Sequence, residues 1–246
     1  MDCAGAARLV PELCADPRLE VRRILAGTRV LGTSGAKLAL RLLRTSGPRY
    51  LAWQLRRRLS ARRRGQPVSL TDALGSDASL LRRVPTLRDP RVVEELRSLD
   101  AELFVCCIFP ERLRPEALAL PSLGTINLHG SLLPRWRGIA PLEHALAAGD
   151  EHHGATVHVV DEGLDTGPIL AQRSFELGDV TSFQDGWERS MQASSAALDE
   201  ALARLQAEGA DALRRARTQP ADGASYASFP SRATLARLRA RGVRLD

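Results

Sequence analysis

The stretch from Gly124 to Gly138 constrains this chain more than any other. Thr125-Ile126-Asn127-Leu128-His129 alternates apolar and polar residues, and the two-residue period of a strand puts Asn127 and His129 on one side. Gly130, Pro134 and Gly138 then force the chain out of a ladder. An amide and an imidazole therefore converge where a strand opens into a loop. Further on, Gly154 to Val160 reads as a β-rich run, followed by the acidic, glycine-broken loop Asp161 to Gly167 and the apolar Pro168-Ile169-Leu170. A carboxylate in a tight turn between two strands is placed to face a neighbouring strand end. The residues alone leave Asp161, Glu162 and Asp165 open for that role. Asn, His and Asp form a proton-transfer and oxyanion set: His titrates near neutrality, Asp orients it and raises its pKa, and Asn donates to developing negative charge.

Asn127-x-His129-x-Ser131-Leu132-Leu133-Pro134, with Arg137-Gly138 and Pro141, precedes Gly154-x-Thr156-Val157 and Leu164-Asp165-x-Gly167-x-Ile169. In that order the two motifs closely resemble the folate-dependent formyltransferases, over roughly residues 90 to 205. Ser131 to Gly138 and Gly163 to Gly167 look most like the methionyl-tRNA enzymes of that family, which also contains the glycinamide ribonucleotide enzymes. The resemblance implies transfer of a formyl group from 10-formyltetrahydrofolate to a primary amine, with no metal. It implies Asn127, His129 and Asp165 as the catalytic residues, the acid being the one in Leu164-Asp165-x-Gly167. It further implies that Ile108, Phe109 and Pro110 line the pterin pocket, with Asp161 and Gly163 as folate-contacting residues of the acidic loop. The amine acceptor is either initiator methionyl-tRNA or a small nucleotide-linked amine such as an amino sugar or glycinamide ribonucleotide. Motif wording favours the first, and the expected lack of the family's C-terminal domain argues against it. A folate-binding pseudoenzyme and an RNA-binding protein on an old enzyme scaffold are the rival classes.

The 246 residues suffice for one sizeable core, and 44% hydrophobic with 26% charged residues is ordinary for a soluble globular chain. A net charge of +6 hints at a polyanionic partner, yet Lys37 is the only lysine, so the cations are almost all arginine and the balance looks like coding bias. Cys3, Cys14, Cys106 and Cys107 show no disulfide or C-x-x-C spacing. No run approaches 18 apolar residues and no basic region precedes an apolar stretch at the N-terminus. A cytoplasmic protein with no membrane partner is the expectation.

The expected fold is α/β and Rossmann-like, a mainly parallel sheet with helices on both faces and its site at the carboxyl ends of strands, since strands alternate with helices. Ala4 to Leu13 reads as a helix ended by Asp16-Pro17. Formyltransferases usually open with a buried strand, so the first strand is expected to be missing. A strand is read within Leu19 to Leu31, a break at Gly32-Thr33-Ser34-Gly35, and helices from Leu38 to Arg44 and from Tyr50 to Arg64. Arg56 to Arg58 and Arg62 to Arg64 on the latter read as a solvated face before a phosphate-binding patch. Residues 65 to 86 read as connecting structure around one short helix. Val92 to Leu99 is a helix started by Asp89-Pro90, and 101–108 a strand buried on both faces, where Cys106 and Cys107 are core residues rather than nucleophiles. Ile139 to Ala148 is a helix ended by Gly149. Thr181 is the expected cap of a long helix from Phe183 to Leu205, with Leu198, Leu202 and Leu205 inward.

The five histidines lie within thirty positions, but their spacing fits neither H-E-x-x-H nor a finger. His152 and His153 read as exposed loop residues, and His158, if inward, as a neighbour of the site. The domain expectation is a catalytic unit over 1–207, with a motif core at 90–205. Residues 208–246 are then a short basic tail, with no room for the family's C-terminal β-barrel.

Overall fold

Ile126 and Leu128 show why the sheet sits where it does: both are buried against the main core, while Thr125, Asn127 and His129 alternate onto the opposite face. The structure, a computed structural model, describes residues 4–28, 35–109 and 111–245. Val30, the break at Gly32 to Ser34, Cys3 and Pro110 lie outside the described residues. The elements in order are α1 (Ala4–Cys14), β1 (Ile24–Gly27), α2 (Gly35–Thr45), α3 (Pro48–Arg63), α4 (Leu70–Leu74), β2 (Leu81–Val84), α5 (Pro90–Ser98) and β3 (Leu103–Cys107). There follow α6 (Pro115–Leu118), β4 (Gly124–His129), β5 (Arg137–Gly138), α7 (Pro141–Ala148), β6 (His152–Val159), β7 (Ile169–Glu176), α8 (Phe183–Glu208), α9 (Ala210–Arg214), β8 (Tyr226–Ala227) and α10 (Arg232–Ala240).

A four-stranded sheet runs β3-β4-β6-β7, and β1-β2 and β5-β8 are separate parallel pairs. Leu103, Val105 and Cys107 of β3 pack toward α1 and α8, whereas Phe104 packs with Val92 and Leu96 of α5. Helices thus cover both faces, and the α/β, Rossmann-like class is the one observed. The β3-β4 pair is parallel, but β6 runs antiparallel to both β4 and β7. Loop 160–168 is too short for a helical crossover, which takes about a dozen residues or more, so β6 and β7 close as a hairpin. The first described element is α1, and among the described residues no strand joins β1 to β3. As a sheet edge, β3 is half-buried along its length rather than enclosed.

Strand β2 lies where only connecting structure was expected. Leu81-Arg82-Arg83-Val84 buries Val84 alone, so it offers no alternation to read. Helix α8 is capped by Ser182, not Thr181: the Ser182 hydroxyl accepts the Asp185 N–H at 3.2 Å. Its buried stripe includes Ala197, Leu198, Ala201, Leu202 and Leu205.

The last residues pack into the body. Leu235 and Leu238 of α10 join Leu142 and Leu146 of α7 in one cluster, and β8 pairs with β5 beside the site.

His153 departs from its expected exposure. Strand β6 begins at His152, which is exposed, and the next residue points inward, buried edge-on against the Phe175 ring. Burial pushes its pKa down to about 4. The unfolded chain, near 6.5, therefore takes up the proton first, so His153 stabilises the fold at neutral pH and that stability drains away as pH falls from 6.5 toward 4. Between pH 7 and pH 5, urea titrations should show the native protein losing about 2 kcal/mol more than His153→Phe loses.

Candidate active site

Asn127 and His158 are direct partners across the antiparallel β4–β6 pair, and their side chains meet at 3.1 Å, Asn127 Nδ2 to His158 Nε2. His158 Nδ1 lies 2.8 Å from the Val159 carbonyl. That carbonyl fixes the ring proton on Nδ1, so Nε2 accepts from the Asn127 amide. One step along β4, His129 is buried and its Nε2 donates to the Trp136 carbonyl at 2.9 Å. The same logic leaves its Nδ1 facing Asp165 Oδ2, 3.6 Å away.

Asp165 reaches this pair from the β6–β7 loop. It sits in the left-handed region, φ +54°, and a register shift at Val157/His158 marks the hairpin just beneath it. The Gly138 N–H donates to Oδ2 at 2.7 Å, while Oδ1 faces Asn127 Nδ2 at 3.5 Å and His158 Nε2 at 3.7 Å. Burial pushes its carboxyl up, but His158, His129 and the Gly138 N–H outweigh that, and Asp165 stays ionised below the usual carboxylate range.

His129 behaves differently from the expectation that Asp165 charges it. Desolvation pulls its pKa down, and the carboxylate and the Trp136 carbonyl only partly restore it. The resting imidazole is neutral at pH 7.

The loop between β4 and β5 is held from several sides. Buried Thr156 donates to the Ser131 carbonyl at 2.6 Å and accepts from the Leu133 N–H at 3.1 Å and Gln172 at 2.8 Å. Trp136 N–H donates to Ser225 Oγ, and its indole N–H to Asp150, which Arg135 also clamps. Arg137 shapes the loop from its far side, its guanidinium on Gln219 and Tyr226.

Asn127, His129, His158 and Asp165 open onto one cavity of about 1110 Å³. Ile108, with φ +55° and 48% exposed, lines it with Phe109 and Leu164, itself 41% exposed. Asp161 and Gly163 also line the cavity, but the Asp161 carboxylate accepts from Gly163 N–H at 3.0 Å and Thr166 Oγ1 at 2.6 Å and so holds the loop's own turn. Elsewhere on the wall, Tyr50 donates to buried Glu143 at 3.0 Å, and burial raises both pKa values. Arg57 is half-buried over the rings of Trp53, Phe183 and Trp187, whereas Arg56, Arg58, Arg62, Arg63 and Arg64 are exposed. Cys106 lines the cavity as a neutral thiol, pushed up to about 12 by burial. Among the described residues no three metal-ligating side chains gather.

Trp136 and Gly138 were read only as residues of the motif loop, and Gln219 was not anticipated. The first two act through backbone groups, which residue type does not encode, and Gln219 lies far along the chain. Only Gly138 left a signal, as a glycine in the motif loop.

An α/β core thus carries a polar constellation at strand ends beside an apolar-lipped cavity. The family described as formyl transferase matches residues 54–208, and this chain belongs to it. Among curated relatives, a methionyl-tRNA formyltransferase of Xanthomonas axonopodis pv. citri is 39% identical over 143 residues, 58% of this chain and 45% of that protein. One of Nitrosospira multiformis is 42% identical over 122 residues, covering 50% and 39%. The chain thus spans less than half the length of these two relatives. In fold it is similar to glycinamide ribonucleotide transformylase 1 of Symbiobacterium toebii, with a TM-score of 0.51, 24% identity, and 64% and 83% of the two chains covered. An N-formyltransferase of Helicobacter canadensis, solved with folinic acid and dTDP-3-aminofucose, gives a TM-score of 0.51 at 21% identity, covering 66% and 55%. Among the described residues no helix is long and apolar enough to cross a membrane.

Proposed function

We propose that the chain transfers a formyl group from 10-formyltetrahydrofolate to a primary amine, and that the convergence of Asn127, His129 and Asp165 on one cavity carries this reading. The folate, when bound, supplies the formyl carbon. Ile108, Phe109 and Leu164 present the apolar surface for its ring. Asn127 Nδ2 is oriented by one N–H on His158 Nε2, and its other, held only loosely by Asp165 Oδ1 at 3.5 Å, would turn to the negative charge as it develops. Neutral His129 takes the amine's proton on Nδ1 as that amine bonds to the formyl carbon, and the resulting imidazolium, held by Asp165 on one side and the Trp136 carbonyl on the other, would return the proton to the folate nitrogen as its bond to the formyl carbon breaks and tetrahydrofolate leaves. Asp165, kept ionised, makes that charged state accessible in a buried place.

The acceptor we favour is an aminoacylated RNA of the methionyl-tRNA kind. The names of the curated relatives support it, as do the exposed Arg58 and Arg64 around the cavity. The catalytic unit in this reading includes the C-terminal residues that pack beside β5. Single-turnover loss of the formyl group should be followed with initiator methionyl-tRNA, a nucleotide-linked amino sugar and glycinamide ribonucleotide. RNA-dependent turnover is expected. Turnover with one of the small amines alone corrects the acceptor, and folate binding without transfer to any amine removes the catalytic reading.

A further inference from the structure

We propose that Gln219 is a positioning residue that holds Asp165 in place; the kinetic part of this inference rests on the formyl-transfer reading. Gln219 lies in the connection between α9 and β8, more than fifty positions beyond Asp165, yet its amide spans two parts of the site. Its Nε2 donates to the Asp165 carbonyl at 2.9 Å and to the Gly167 carbonyl at 2.8 Å. Its Oε1 accepts from Arg137 Nη2 at 2.7 Å and from Nε at 3.2 Å. Arg137 is buried, donates from Nη1 to the Tyr226 hydroxyl at 3.1 Å and lies over the Tyr226 ring.

Both hydrogens and the oxygen of one primary amide are therefore in use, an arrangement only an amide supplies. The two carbonyls flank Thr166, so the two bonds bracket the turn and fix a left-handed Asp165 that would otherwise relax. With the backbone held there, Oδ2 meets the Gly138 N–H and faces His129 while Oδ1 faces Asn127. Arg137 and Gly138 are adjacent in β5, so Gln219 ties the strand that supplies the N–H to the loop that supplies the carboxylate.

The test uses the full chain with Gln219→Ala and Gln219→Glu, the latter keeping an acceptor for Arg137 while losing both donors. Amide hydrogen exchange is read over residues 161–168, with α8 as the internal reference, alongside single-turnover rate and folate KM. Both variants should speed exchange of the loop at least about tenfold with α8 unchanged, and lower the rate about 10- to 100-fold with KM within about twofold, as expected for a misplaced catalytic group. Unchanged loop exchange, or a wild-type rate in Gln219→Glu, overturns the proposal, because holding Arg137 would then suffice. If Gln219→Ala fails to fold, the near-isosteric Glu variant decides alone. A wild-type chain that transfers no formyl group overturns the reading of function, while the exchange arm still decides Gln219.

Discussion

His129→Ala is expected to slow formyl transfer by about 10²- to 10⁴-fold, the range for loss of a positioned acid–base group, while folate binding holds within about twofold. The reason lies in the two partners of the ring. Nε2 is committed to the Trp136 carbonyl and Nδ1 faces Asp165 across 3.6 Å, so the only proton position left vacant at neutral pH is Nδ1. The direction of the pH profile checks this. Burial holds the His129 pKa below its ordinary value, so a neutral base predicts a rate that is flat near pH 7 and falls on the acid side, with its limb below 6.5. Asp165 raises that pKa, so Asp165→Asn should move the limb to still lower pH besides reducing the rate. A rate that instead falls as pH rises through neutrality would mean that His129 works protonated, and the proton assignment given above would be wrong. Stopped single-turnover assays from pH 5 to pH 9 separate the two.

How much of this was legible in the sequence follows from where each group's information resides. Asn127 and His129 were readable together because a strand's period is the same everywhere, and Ile126 and Leu128 marked the face turned away. His158 was readable as a mid-strand residue, but its match with Asn127 depends on the β4–β6 register, which no local pattern states. The local pattern left three carboxylates open, and only the motif singled out Asp165. The structure brings Asp165 beside His129 and gives Asp161 a turn to hold. Burial was the quantity least visible in advance: it reverses the expected shift of His129 and places His153 inside the sheet. Strand β2 was missed because its two central residues are arginines whose side chains face solvent. The C-terminal residues read as a tail because their links to the site are single side chains and a two-residue strand, Gln219, Ser225 and β8, with no periodicity to betray them.

Gly138→Ala is expected to damage both the fold and the site. Gly138 has φ +98°, a region that costs an L-residue about 1–2 kcal/mol, and an added Cβ would stand 2.3 Å from the Ala227 carbonyl oxygen. That oxygen belongs to the backbone of β8 and cannot swing aside. It also accepts the Ile139 N–H at 3.1 Å, so relief requires β5 and β8 to part. Parting them carries away the N–H that Asp165 Oδ2 accepts at 2.7 Å, the one contact of that carboxylate well inside hydrogen-bond distance. Thermal unfolding should show a loss of about 2–4 kcal/mol, and the single-turnover rate should fall about 10²-fold, as for removal of a donor that preorganises charge. Gly130→Ala is the control: its added Cβ meets nothing closer than Pro141 Cγ at 3.8 Å, and it should unfold and react within about twofold of the native chain. A Gly138→Ala protein as fast as wild type would show that Asp165 is held without the β5 N–H, and the placement of the carboxylate would then rest on the loop's own turn and on Gln219.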